Sequence, residues 1–443
     1  MRPPRAMPAH LTVKPRVNTD ALGAATWIVT GYFIVEYARI QDVIPGLNYL
    51  KLGVLVSALA CLQLGFVRTR PFPRETYPVF IYLALMFAMT PFANNHGVCF
   101  MTSATVLQML LSGLLLMATF TDTVRKLRVL AWAFVAAGTY QSVRGILFNG
   151  VGIGYFVDEN DLCMLAAMVA PIAYFLGTTA TGWFSRISGF SLLALSVLAG
   201  VVSFSRGGFL ALVGVGLYLI LMSPRRVSTL LAIAIALALI YPFIPAAWYG
   251  EMGTIKTADQ FGDTGETRLY MWGIAWDVYK AHPVFGVGVN NLGRHMATYE
   301  DLNTGHREMW GRACHSIFFT LFAEAGTVGT LVWLWMILSS VRATTSVARI
   351  AKREGVNGAT STDEVRLKAH QLIGLCRGFE ASLIGFLVAG TFLTTNYYPN
   401  LWTILGLMMA TRLTLENDPA LAALRHRTPS PVPPQQPVRM AAR

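Results

Sequence analysis

The chain has 443 residues, of which 54% are hydrophobic and only 13% charged. A soluble domain carries roughly 25% charged residues, so a soluble globular enzyme is excluded, and dividing length by about 150 residues to count domains does not apply. The net charge of +12 would suit a nucleic-acid binder, but the basic residues gather in short stretches between apolar runs. That is the pattern of membrane topology signals, and nucleic acid is not an expected partner.

The first 20 residues are polar and basic, with no apolar h-region and no A-x-A site, so they are expected to be a cytoplasmic N-terminal segment and not a cleaved signal. Apolar runs long enough for a ~30 Å hydrocarbon core then recur along the chain. They predict an all-α polytopic membrane protein with about twelve transmembrane helices at 21–38, 47–67, 76–93, 98–120, 127–148, 162–180, 188–204, 207–222, 227–245, 314–341, 372–394 and 399–413. With the N-terminus inside, 25 of the 35 Lys and Arg fall on the cytoplasmic side, which supports both ends inside. The expected membrane domain is 21–413, with one large periplasmic loop, 246–313, between helices 9 and 10. The stretch 343–369 reads as a solvated cytoplasmic connector with a short helix, and 414–443, with its TPSPVPPQQP run, as a disordered cytoplasmic tail.

Ten basic residues fall on or near the outer side: Arg39, Lys51, Arg144, Arg206, Lys256, Arg268, Lys280, Arg294, Arg307 and Arg312. Positive charge kept where topology disfavours it points to an anionic ligand at the outer boundary. Arg144 and Arg206 end apolar spans, where a charge is costly unless it is paired or lines a polar cavity.

Four stretches can carry chemistry. GIGYFVDENDLCMLAA brings Asp158, Glu159 and Asp161 to the outer side. These carboxylates can cap a helix, bind a cation, orient an arginine or hydrogen-bond a sugar. VVSFSRGGFLAL places Arg206 in an expected hairpin, where Gly207 and Gly208 allow a tight turn and a close backbone approach. Its guanidinium either snorkels to the headgroups or grips phosphate oxygens. GETRLYMWGIAWDVYKAHPVFGVGVNNLG predicts a helix over 267–281 with Arg268 in its first turn, its aromatics suited to the membrane interface. His315, expected one residue into the tenth span, is a candidate base near neutral pH or a helix-end residue. Glu324, nine residues on, falls on the opposite helix face about 13 Å away, and reads as mainly structural. The five cysteines are scattered, with no disulfide or zinc spacing. No H-E-x-x-H, P-loop or G-x-S-x-G elbow is present, so no metal or other cofactor is expected.

Taken together, the SRGG turn, the R-x-x-x-W helix running into HPVFGVG, and the H-S…E-x-G-x-x-G opening of the next span resemble the O-antigen ligase (WaaL-like) superfamily. That superfamily also holds Wzy-type polymerases and bacterial protein O-oligosaccharyltransferases. The resemblance covers most of the membrane domain and neither tail. It implies a GT-C-like, metal-independent, inverting glycosyltransferase of a Gram-negative inner membrane. Its donor would be undecaprenyl-diphosphate-linked O-polysaccharide and its acceptor lipid A–core, joined on the periplasmic face. Arg206 and Arg268 match the positions that hold the donor diphosphate, with Arg144 a further phosphate contact by location. His315 matches the histidine that acts on the acceptor hydroxyl. Gly207, Gly208, Asp158, Asp161 and Glu324 would support them. The rival readings are a polymerase, a protein O-oligosaccharyltransferase and, in another class, a transporter of the lipid-linked glycan. A transporter would show paired repeats with broken helices, and none is visible in the sequence.

Overall fold

The structure is a computed structural model describing residues 21–67, 70–148, 150–223, 226–244, 246–253, 264–301, 309–359, 361–422 and 424. The expected N-terminal segment 1–20, the tail beyond 424, and loop residues 254–263 and 302–308 lie outside the described residues, and with them Arg68, Arg225, Lys256 and Arg307.

Among the described residues the chain is helical throughout, with no strand. Its main helices are α1 (Gly23–Phe33), α2 (Leu47–Val67), α3 (Tyr77–Ala88), α4 (His96–Phe120), α5 (Val124–Leu147), α6 (Glu159–Thr178), α7 (Trp183–Val202), α8 (Arg206–Met222), α9 (Arg226–Ile240), α10 (Thr264–Ala281), α11 (Ile317–Ile350), α12 (Asp363–Gly390) and α13 (Pro399–Asn417). Six of them, α2, α4, α6, α7, α11 and α12, are long and apolar enough to cross a membrane.

A helix that is apolar on every face belongs in the interior of a bundle. α6 is of that kind beyond its first turn, and it and the more polar α13 are both buried along almost their whole length. α6 packs against α5, α7, α8 and α12. The outer helices keep apolar residues exposed, such as Val54 and Leu55 on α2 and Phe184 and Ile187 on α7, where lipid takes the place of a core. Three helix starts near the site have polar caps. Asp158 accepts from the Asn160 amide at α6, Ser205 from Gly208 at α8, and Ser316 from Phe319 at α11.

α11 is broken. At Gly326 the backbone takes φ 61°, ψ −166°, a region essentially closed to other residues. In an unbroken helix the amides of Thr327 and Val328 would bond the carbonyls of Ala323 and Glu324. Here all four groups are taken by the loop that follows α10. Val287 and Gly288 donate to the carbonyls of Ala323 and Glu324 at 2.9 and 3.0 Å, while Thr327 and Val328 donate to Pro283 and Val284 at 2.8 and 3.1 Å. Beneath this junction the Glu324 carboxylate, 3% exposed, accepts from the amides of Asn290 and Leu292 at 2.9 and 3.0 Å and from the Tyr397 hydroxyl. The Glu324 side chain thus engages the loop that follows α10.

Three boundaries differ from the expectation. α11 begins at Ile317, so His315 lies outside the span, before the Ser316 cap. The expected connector is largely helical: α11 continues as a π-helix to Val356, and α12 starts at Asp363 behind a Thr362 cap. α13 runs to Asn417, past the expected domain end at 413, and Leu421 and Leu424 are buried. Asp418 fastens this end, accepting from the Val124 amide and from the Lys368 ammonium.

Gly326→Ala adds a Cβ 2.4 Å from the Val284 carbonyl oxygen, at a positive φ. It is expected to cost more than about 2 kcal/mol and to lower the thermal unfolding midpoint of the detergent-solubilised protein by several degrees. Gly216→Ala on α8, whose Cβ meets nothing within 4 Å, is expected to leave the midpoint unchanged or raise it slightly. Equal midpoints for the two variants would show that the break in α11 is dispensable.

Candidate functional site

Thr264, Thr267, Arg268, Met271, Arg312, Ala313 and His315 line a cleft of about 440 Å³ at one end of the bundle. The first four come from the opening turns of α10, the rest from the segment running into α11. Positive ends of two helices therefore lie beside it, adding to the charge of its guanidinium groups.

α10 is held on the bundle by its aromatic face. Trp272 stacks on Phe319 of α11 with ring centroids 5.2 Å apart at 17°. Its indole N–H donates to the Cys314 carbonyl at 3.1 Å. Arg268 lies one turn back along the same helix. His315 follows Cys314 directly, with the left-handed φ of 52°. This conformation is uncommon for a non-glycine residue and turns the chain sharply just ahead of the Ser316 cap. The helix that presents Arg268 thus also fixes the carbonyl that precedes His315.

Arg206 is the first residue of α8, and its guanidinium donates to Thr264 Oγ1 on the rim of the cleft. The expected hairpin is in fact the gap between α7 and α8, and the sharp turn falls on Phe204, φ 57°. Gly207 and Gly208 are both buried inside the first turn of α8. A Cβ on Gly208 would meet the Cys163 sulfur of α6 at 2.2 Å, and one on Gly207 the Phe392 ring at 2.9 Å. The two glycines serve close packing of α8 on its neighbours, not a backbone approach to a ligand.

The other expected residues are placed as follows. Asp158, the α6 cap, is near enough for its charge to act on His315. Asp161 is buried in the first turn of α6, with its Oδ1 unbonded among the described residues. Arg144, in the last turn of α5, lies 4.7 Å over the Phe148 ring, and its Nε is buried without a hydrogen-bond partner among the described residues. It is not among the residues lining the cleft. Arg312 lines the cleft but was not singled out as a site residue from sequence. Its signal was available, since it is one of the ten outer basic residues and precedes His315 by three. Among the described residues no three His, Cys, Asp or Glu side chains converge as a metal-ligand group.

The electrostatics suit a neutral imidazole beside bound anions. Burial holds the His315 pKa below its ordinary 6.5, Arg268 and Arg312 lower it further, and Asp158 acts in the opposite direction. The Cys314 thiol, buried beside it, is pushed up to about 12 and stays protonated. The cleft can therefore hold negative charge on guanidinium groups while keeping one base unprotonated at neutral pH.

Fold and site together give an all-helical protein, among the described residues, with six helices long and apolar enough to cross a membrane and a cleft at one end lined by two arginines and a histidine. Residues 190–334 match the Wzy_C family model, described as O-antigen ligase, and support membership of the O-antigen ligase superfamily for this chain. The matched segment runs from α7 past the break in α11, and it contains Arg206, Arg268, Arg312, His315 and Glu324. No curated protein matches the chain.

Because the His315 pKa is lowered, its neutral form persists below the pH at which a free imidazole is half protonated. Its modification by diethylpyrocarbonate, which needs the neutral ring, is expected to fall off with a midpoint below 6.5, read by mass spectrometry of the peptide carrying it. Arg268→Gln removes one lowering influence and should move that midpoint upward, though not fully, since burial is the larger cause. A midpoint that stays put in the variant would separate Arg268 from His315.

Proposed function

We propose that the protein is an O-antigen ligase of a bacterial inner membrane. It would move O-polysaccharide from undecaprenyl diphosphate to lipid A–core, with both chain ends cytoplasmic, about twelve spans, a GT-C-like arrangement and the cleft on the periplasmic side. The carrying observation is that Arg268, Arg312 and His315 line one cleft with Arg206 bonded to its rim, all within the segment matched by the O-antigen ligase family.

Arg206 and Arg268 hold the diphosphate of the donor, and Arg312, from its place on the cleft wall, adds a third positive charge. A guanidinium presents a planar fork of donors suited to phosphate oxygens, and it cannot be deprotonated. Arg144 serves as a further phosphate contact beyond the cleft. The acceptor hydroxyl attacks the anomeric carbon from the face opposite the diphosphate, so the sugar configuration inverts. The new C–O bond forms as the bond from the anomeric carbon to the phosphate oxygen breaks. The electron pair leaves on undecaprenyl diphosphate, where the arginines stabilise it without a metal. The hydroxyl proton passes to His315, whose neutral ring is ready to take it.

His315→Ala is expected to abolish glycan transfer while donor binding stays measurable, and full transfer by that variant would remove His315 from the mechanism. Arg206→Ala or Arg268→Ala should weaken donor binding by about tenfold or more, the worth of a charge-assisted hydrogen bond. Arg39→Ala should do far less, because Arg39 is engaged with Asp42 at 2.7 Å and lies over the Tyr155 ring. Equal losses would reduce the arginines to general electrostatics. EDTA should leave the rate unchanged, and a loss restored by Mg²⁺ would contradict the charge assignment.

The ligase assignment itself is tested by reconstitution with an undecaprenyl-diphosphate glycan and two competing acceptors, lipid A–core and a second lipid-linked glycan. Transfer to lipid A–core is expected. Transfer only to the second glycan would make the protein a polymerase, and movement of the donor with no bond formed would make it a transporter.

A further inference from the structure

Four hydrogen bonds run through the starts of α6 and α8, one of them between the two helices. The Asn160 side-chain nitrogen donates to Asp158 Oδ1 at 2.8 Å, alongside the Asn160 backbone amide at the same distance. Ser205 Oγ donates to Asn160 Oδ1 at 2.7 Å. The Gly208 amide in turn donates to Ser205 Oγ at 3.0 Å. The orientation of each group is forced. Ser205 Oγ accepts from the Gly208 amide and turns its proton toward Asn160. Asp158 can only accept, so the Asn160 amide turns its NH₂ toward Asp158 and its oxygen toward Ser205.

The two ends of this chain are not equivalent positions in the fold. Ser205 is the cap that starts α8, and Arg206 is the next residue, bonded to Thr264 on the rim of the cleft. Asp158 is the carboxylate whose charge reaches His315. Ser205 is buried and so holds one geometry, whereas Asp158 is exposed and would otherwise be free to swing. A single side chain thus stands between a diphosphate-holding arginine and the counter-charge of the base.

We propose that Asn160 is a positioning residue of the transfer site. Through Ser205 it fixes the start of α8 and the direction of Arg206, and through its side-chain amide it ties that start to Asp158 at the start of α6. This rests on the transferase reading for its consequence, but the coupling to Arg206 is measurable without turnover. Asn160→Ala suits the purpose, because the backbone amide of residue 160 remains to satisfy Asp158 and α6 keeps its cap.

The test is binding of inorganic diphosphate to the full chain in detergent, by calorimetry, beside a glycan-transfer assay with separate donor and acceptor titrations. Asn160→Ala is expected to weaken diphosphate binding about fivefold and raise the donor KM alike, with the acceptor KM unchanged. Ser205→Ala, which leaves α6 untouched, should reproduce the loss even if Asn160→Ala fails to fold. Ser205→Thr, which keeps both hydrogen bonds, should restore wild-type binding. In an Arg206→Ala background Asn160→Ala should add nothing further. Additive losses, or unchanged binding in a folded Asn160→Ala, overturn the proposal. A wild-type chain that binds diphosphate but transfers no glycan would sink the transferase reading and leave the positioning role standing. A wild-type chain that binds no diphosphate would sink both.

Discussion

The site rests on the exchange of hydrogen bonds at the break in α11. A transmembrane helix can open only if each freed backbone group finds another partner, because lipid offers none. At Gly326 two ladder bonds open, freeing two amides and two carbonyls, and the loop Pro283–Gly288 supplies two of each in return. Neither side can be replaced by a regular element. A Cβ on Gly286 would meet the Glu324 carbonyl at 2.5 Å, and one on Gly326 the Val284 carbonyl at 2.4 Å. The Glu324 carboxylate completes the junction by taking two further loop amides and the Tyr397 hydroxyl, three donors that offset the cost of burying its charge. A long polar loop is thereby locked to a membrane helix at one point. α10, and Arg268 with it, is held by that lock together with the contacts of Trp272, Trp276 and Tyr279 on α11.

Once α10 is fixed, the electrostatics of the cleft follow from its neighbours. The guanidinium groups that suit an anion are also those that lower the His315 pKa. The free protein therefore holds its base in the neutral form. A bound diphosphate would bring negative charge among those same groups and weaken their effect on the ring, making the imidazole a stronger base when substrate is present. Under the proposed transfer, holding the leaving group and readying the base would be one electrostatic arrangement seen before and after binding.

Much of the bundle was legible in the sequence, because apolar runs of membrane length carry their own signal. The convergence of Arg268 and His315 was legible only through the order of short motifs, since 46 intervening residues carry no periodicity that predicts a contact. What could not be read was tertiary in origin. Gly207 and Gly208 looked like a turn, because glycine pairs usually mark one, whereas their small size is matched to Cys163 and Phe392 on other helices. His315 looked like the first turn of a span, because its neighbours are apolar, yet a positive φ keeps it outside. The opposite-face argument for His315 and Glu324 assumed one helix through both, whereas α11 begins only at Ile317.

The family match adds one more physical point. It begins at residue 190, so it includes the arginines and the histidine but not Asp158 or Asn160. The cationic half of the site lies on α8, α10 and the start of α11, while the anionic half lies at the start of α6. Charges of opposite sign placed on one rigid element would pair with each other and leave nothing for a ligand. Carried on separate helices, they are held apart by packing, at distances that a small close-packed feature such as Gly208 against Cys163 sets. Among the described residues the Asn160–Ser205 hydrogen bond links those two helix starts. It joins them through a neutral amide, so the link consumes neither the charge of Arg206 nor that of Asp158.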